Sequence, residues 1–448
     1  MTQVGEAIAR YHKLIESGPY IDLGWAQALQ EQLKAAKLGG RAISPVLRPH
    51  FLSGRDYATM AKTAETISSA MARVEQMVLA SPALLSRIQL LPAERMLAQV
   101  DPGYAFEGIT GQLDTVLNNG SMKFSNHHAD APAGVLFGDA LADVYYEAPP
   151  VKEFRKKYKL KKLGGTKFLL SALLKSYKDF GGKQKKPRIA IVELKQPFSG
   201  GGDFAQLAEY FTHEGYPTEV MSPEQLEYRN GVLRRGEFAI DILYRRIGLQ
   251  EFLIRFDLSH PMVRAYKEHA VCMVNSFRAE VGAKRAIFDL LTDDAVTQKF
   301  PAIERRAIKD HIPWTRVVQA AKTTHKGHTV DLPDFVMKHR AKLILKPNDD
   351  SPDQHSFRGS ETDDIGWEKA LRQAMRTPYV VQEVADPAKV VFPLMQYGSL
   401  MMKEMQVDVH PHSFYGKVHG CSSWLSIIGS QSFSTLTGLA PTFVLEGK

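Results

Sequence analysis

The sequence predicts a mixed α/β protein with a mainly helical N-terminal region, and three observations predict it. Ile67, Met71, Val74 and Val78 recur along one helical face, and the pattern stops at Ser81-Pro82. Short apolar runs, RIAIVEL at 188–194 and KLILK at 342–346, end in proline or polar loops and read as strands. Helical patterns follow them: Leu207, Tyr210 and Phe211 after the first, Trp367, Ala370, Leu371 and Ala374 after the second. Strands alternating with helices define an α/β region.

Composition sets bounds. The chain has 448 residues, 44% hydrophobic and 24% charged, which suits a globular protein with a real core. That length corresponds to about two to four domains. No apolar run reaches the roughly 20 residues a membrane helix needs, and the first residues lack a secretory pattern. Two cysteines, Cys272 and Cys421, are too few for a disulfide framework and fit a reducing cytoplasm. The expected location is cytoplasmic, with no membrane partner.

The net charge is +8, with a pI near 9.1. Much of it lies between Lys152 and Lys162 and between Lys183 and Arg188. This stretch reads as a solvated surface or linker. A nucleic-acid patch is the weaker reading, because only Phe154 and Tyr158 are interleaved as stacking aromatics.

Along the chain, 121–139 (SMKFSNHHADAPAGVLFGD) is polar and turn-rich, with His127 and His128 ahead of Asp130. Adjacent histidines make a weak metal signal. After the 188–194 strand, Ser199-Gly200-Gly201-Gly202-Asp203 leads into a helix. It reads as a tight turn or as a phosphate cradle. A second strand, 238–244, ends in Arg245 and Arg246, at the strand end where open α/β sheets bind ligands. An arginine there can grip a carboxylate or phosphate with two hydrogen bonds, or pair structurally with Asp241 or Glu251. Further on, the 342–346 strand, a polar loop, an amphipathic helix and the 379–384 strand (YVVQEV) form one unit. MQVDVH (405–410) is another strand, carrying Asp408 among apolar neighbours, and 441–445 closes the chain. His410, His412, His419 and Cys421 make a crude metal set without the paired ligands of a zinc site.

LILKPNDD, the loop, the Trp-containing helix and YVVQE together resemble the nucleotide-binding half of circularly permuted ATP-grasp proteins, the group related to glutathionylspermidine synthase. IDILYRR, VNSFRAEVGAKRAIFDLL, VDVHPHSFYGKVHG and HADAPAG resemble further pieces in the family's order, from about residue 100 to the end. The resemblance implies an α/β ATP-grasp-like core with mixed sheets. It implies a chain divided into 1–100, a helical region, 101–274, a substrate-binding α/β region with a basic linker near 152–188, and 275–448, a nucleotide-binding region.

The implied activity is an ATP-dependent carboxylate–amine ligase working through an acyl phosphate on small-molecule or peptide acids and amines. The implied cofactors are ATP and Mg2+. Lys284 and Lys346 match nucleotide-binding lysines, and Gln382, Glu383 and Val384 match the segment that borders the adenine. Asp408 matches a magnesium-binding carboxylate, and Arg245 and Arg278 match groups that steady the substrate carboxylate or acyl phosphate. Read by themselves, Lys346 is equally a strand-end lysine, Glu383 a surface residue and Asp408 a turn cap before Pro411.

The chain departs from the family in three places. The loop after Lys346 keeps one glycine, Gly359, and carries Asp349, Asp350 and Asp353, which repel phosphate. Trp424 precedes Leu425-Ser426 where the family has an arginine; an indole has one donor and no charge. The family's asparagine and glycine-rich run near the end are not evident around Gln431, and His128 replaces an upstream asparagine. These departures set an alternative beside the ligase: a relative that keeps the fold and acts as a binding or partner protein.

Overall fold

The computed structural model describes residues 2–35, 44–105, 108–118, 121–132, 134–194, 202–349, 354–427 and 438–446. Of the loop 199–203, residues 199–201 lie outside them, as do Asp350, Asp353 and Gln431, while Gly202 begins the helix Gly202–His213.

The helix expected around Ile67 spans Gly54–Ala80. Ser53 caps it by accepting from the Asp56 N–H, and Ser81 and Pro82 end it. All four stripe residues are buried, each worth about 1.5–3 kcal/mol of apolar transfer. They pack with Met405, Val407 and Val409 of the long strand Ser399–Phe414.

That strand is the spine of the largest sheet. In order the sheet runs Gly438–Ala440, Lys417–Ile427, Ser399–Phe414, Thr110–Asn118 and Ser121–His128, and Ala388–Gln396 pairs with the first half of the spine. Residues 121–128, read from sequence as a polar turn-rich segment, therefore form a strand. Met122 and Phe124 alternate inward and outweigh the polar residues between them.

A four-stranded parallel sheet has the order Cys272–Val274, Ile242–Arg245, Ile189–Val192, Thr218–Met221. The single strand expected at 238–244 is two. Phe238–Ala239 pairs antiparallel with Val232–Arg235, and only Ile242–Arg245 enters the parallel sheet. Between them the Asp241 carboxylate accepts from the Arg188 N–H at 2.8 Å and turns the chain.

The third unit is an antiparallel sheet in the order Thr315–Val317, Tyr379–Glu383, Leu343–Pro347, Phe357–Arg358. Its inner face places Leu343, Leu345, Tyr379 and Val381 against Trp367, Ala370, Leu371 and Ala374 of the helix Asp364–Ala374. A small sheet joins His50–Ser53, Thr442–Leu445 and Leu160–Lys162. The N-terminal helix Gln3–Ile15 is tied in by Tyr11, whose hydroxyl donates to the Leu47 carbonyl at 3.0 Å. Leu47 N–H in turn donates to Pro393 O at 2.7 Å. No helix among the described residues is long and apolar enough to cross a membrane.

Candidate functional site

Side chains on a strand alternate between faces. In Ser399–Phe414 one set enters the core, so Gln406, Asp408 and His410 occupy the opposite face. Asp408 stands opposite Val116 on one side and Trp424 on the other, and Val116 stands opposite Lys123. On the antiparallel sheet the same rule sends Leu343 and Leu345 to the helices and Ile344 and Lys346 the other way.

Lys346 links the two sheets. Its Nζ donates to Gln382 Oε1 at 2.9 Å in its own sheet and to Ser125 O at 3.2 Å in the large one. Gln382 Nε2 donates to Thr315 Oγ1 at 3.0 Å on the neighbouring strand. The chain crosses between the sheets directly after Glu383, through residues 384–387. There the Glu383 carboxylate meets His325 Nε2 at 3.0 Å and Lys326 Nζ at 3.7 Å, both from a two-stranded hairpin. Glu383 N–H donates to Trp314 O and Val384 N–H to Lys342 O, each at 2.9 Å.

A cleft of about 1670 Å³ opens at this crossing. Val116, Asn118 and Lys123 line it from the large sheet, and Arg316, Glu383 and Val384 from the other side. Because Val116 neighbours Asp408 in register, the cleft reaches the edge of the polar face.

Electrostatics single out Asp408. Burial pushes its carboxyl up to about 6, the nearby Asp114 adds to the rise, and Lys346 and Arg358 oppose it. Its Oδ1 is buried and has no hydrogen-bond partner among the described residues. Asp114 differs. Burial alone would raise it, but His128 at 3.0 Å and His410 at 3.2 Å hold it well below the usual carboxylate range. Burial lowers His410 despite Asp114. Among the described residues no group of three or more His, Cys, Asp or Glu could hold a metal by itself. A magnesium ion shared with phosphates needs only one or two protein carboxylates, and the orphaned oxygen of Asp408 fits that part.

The remaining expected residues sit in other surroundings. Lys284 is wholly buried, with Glu94 and Glu280 at 2.9 Å and Asp349 at 2.5 Å. Burial pushes Glu280 up to about 8 against the pull of Lys284. Arg245 is also wholly buried; it pairs with Asp130 and donates to the carbonyls of Ile247, Asn275 and Ser276. Arg246 lies over the rings of Phe204 and Tyr244 and donates to Pro132 O. Arg278 is half-buried in the turn Phe277–Ala279. The structure thus gathers Lys346, Gln382 and Asp408 about one face, with Glu383 and Val384 at the rim. It surrounds Lys284 and Arg245 with partners of their own. Sequence reading missed Asp114 and Gln112, whose signal was the alternation GQLDTV in Thr110–Asn118.

No family model matches the chain, and no curated protein matches it. Among solved structures it is similar to a glutathione synthetase-like effector (GSS30) from Globodera pallida in its apo form. The identity is 11%, over 96% of this chain and 98% of that one, with a TM-score of 0.61. It is also similar to a gamma-glutamylcysteine synthetase-like protein from Methylobacillus flagellatus, at 9% identity over 86% and 85% and a TM-score of 0.42. A third is the ATP-grasp ligase PsnB, at 9% identity over 58% and 90% and a TM-score of 0.29. At 11% identity the likeness to the effector is one of fold: the two chains share a mixed α/β architecture over nearly their whole length.

Proposed function

We propose that the protein is an ATP-dependent carboxylate–amine ligase, forming an amide or peptide bond through an acyl phosphate. The observation that carries this reading is the pairing of Lys346, held between the two sheets by Gln382 and Ser125, with the unpartnered Asp408 oxygen on the facing strand. ATP with Mg2+ would supply the phosphoryl group that activates the acid. In this reading the base lies in the cleft beside Glu383 and Val384, with Gln382 buried behind them, and the phosphates reach Lys346. Its ammonium would then meet charge that grows on the transferring group. Asp408 would hold the magnesium, which would remove the cost of leaving its carboxylate buried without a partner. Arg278 is the candidate grip on the substrate carboxylate. Arg245 would hold Asp130 against the end of the parallel sheet, and Lys284 would anchor Asp349 at the start of the loop after Lys346. The chain would divide near 100 and 274, as the resemblance implies.

A second reading is a binding protein that keeps the fold without turnover. Two observations favour it: Trp424 stands opposite Asp408 where the resemblance implies arginine, and Asp114 is bound to two histidines. Calorimetric titration with a nonhydrolysable ATP analogue, with and without magnesium, tests the nucleotide site. Magnesium-dependent micromolar binding that is lost in Lys346→Ala supports it, and no binding by the wild type at millimolar nucleotide removes it. Release of ADP with candidate acids and amines then separates ligase from binding protein.

A further inference from the structure

We propose that Thr315 is a positioning residue that fixes the side-chain amide of Gln382 and, through it, the ammonium of Lys346. The inference rests on the reading of Lys346 as a phosphate contact and adds a residue that carries no sequence motif.

The available protons set the orientation of the Gln382 amide. Thr315 and Gln382 are buried, with relative exposures of 0% and 2%, so water cannot complete their hydrogen bonds. The Thr315 hydroxyl donates to Pro313 O at 2.9 Å. A hydroxyl has one proton, so toward Gln382 the Thr315 oxygen can only accept. It accepts from Nε2 at 3.0 Å. With the nitrogen directed there, Oε1 faces Lys346 Nζ at 2.9 Å. The opposite amide orientation would set an NH2 group against an ammonium and turn Oε1 toward a hydroxyl whose proton is already given to Pro313 O, which is costly. Backbone pairing keeps the relay in register: Thr315 and Ile344 flank Gln382 on its two neighbouring strands. Ser125 O, at 3.2 Å, supplies a second fixed acceptor from the facing sheet. The ammonium is thus aimed by groups on both sheets before any ligand arrives. The Thr315 hydroxyl bonds Pro313 O and Gln382 Nε2, so its effect on Lys346 passes through Gln382.

Thr315→Val keeps the shape and removes the hydroxyl. The ATP analogue should bind roughly tenfold more weakly to this variant, the size of one buried hydrogen bond. Thr315→Ser, which restores the hydroxyl, should return to the wild-type affinity. Adenosine binding, followed by saturation-transfer NMR, should be unchanged, because adenosine has no phosphate for Lys346. Unchanged affinity of Thr315→Val for the analogue overturns the inference, as does equal weakening of adenosine. A wild type that binds no nucleotide removes the functional reading instead, and the relay is then decided by acetylation of Lys346, read by peptide mass spectrometry. Loss of the Gln382 acceptor disfavours the ammonium and should speed acetylation about threefold or more; an unchanged rate overturns the relay.

Discussion

Replacing Lys284 with methionine removes one cation from a buried group of three carboxylates, and the structure sets the size of the effect. The Glu94 side chain has 0% exposure, Glu280 6% and Asp349 20%. Glu280, pushed up to about 8, already carries a proton at neutral pH and loses little. Asp349, the most exposed, can turn toward water. Glu94 can do neither, so without Lys284 it must bind a proton. Burial already raises the Glu94 carboxyl against the pull of Lys284, so wild type carries part of the cost; counted from the ordinary value of 4.5, full protonation at pH 7 costs at most about 3.4 kcal/mol, at 1.36 kcal/mol per pH unit. At pH 5 the same step costs only about 0.7 kcal/mol. Lys284→Met should therefore be destabilised by up to about 3 kcal/mol at pH 7, in keeping with other broken buried ion pairs. Most of the loss should disappear by pH 5. Thermal unfolding of both proteins across pH 5–8, followed by circular dichroism, measures it. A loss below about 1 kcal/mol at pH 7, or one that does not shrink on acidification, would refute the reasoning.

Two further outcomes follow from buried titratable groups. Burial lowers His50 to about 3, His127 to about 4 and His412 to about 3. These rings bind protons only when the chain unfolds, so the stability they give is complete above about 6.5 and falls as the solution is acidified. At pH 5 each costs about 2 kcal/mol, which predicts a steep fall in melting temperature between pH 6.5 and 4. Asp408 has the opposite sign: its carboxyl is raised to about 6 from 3.8, so its stability is lost as pH rises through 6. Asp408→Asn should be more stable than wild type at pH 7.5 without magnesium, by up to about 3 kcal/mol, read as a higher melting temperature. It should also weaken any magnesium dependence of nucleotide binding. A variant less stable than wild type at that pH would count against the unpartnered-oxygen account.

The elements with strong local patterns were legible in the sequence. Ile67, Met71, Val74 and Val78 sit on one buried helical stripe, Ile189–Val192 and Leu343–Pro347 are strands, and Trp367 leads a buried helical face. Segments whose polar residues obscured the alternation were not, as Ser121–His128 shows. The facing of Lys346 and Asp408 depends on two sheets meeting, which no spacing encodes. The partners of Lys284 and Arg245 were hidden for the same reason: Glu94 lies 190 positions from Lys284, and Asp130 lies 115 from Arg245. Asp114 carried no motif that singled it out; its surroundings come from His128 and His410, which the folded sheet brings against it.

The small sheet that joins His50–Ser53 to Thr442–Leu445 sets a timetable for synthesis. Ser53 pairs with Leu445, a partner made about 400 residues later. At roughly 5–20 residues per second on the ribosome, the early strand waits about 20–80 seconds for its neighbour. Phe51 waits with it, since Phe443 and Leu445 pack in the same core as Phe51 and Tyr11. During that interval the emerging chain displays an unpaired edge and an open apolar surface, the kind of surface that nascent-chain chaperones hold.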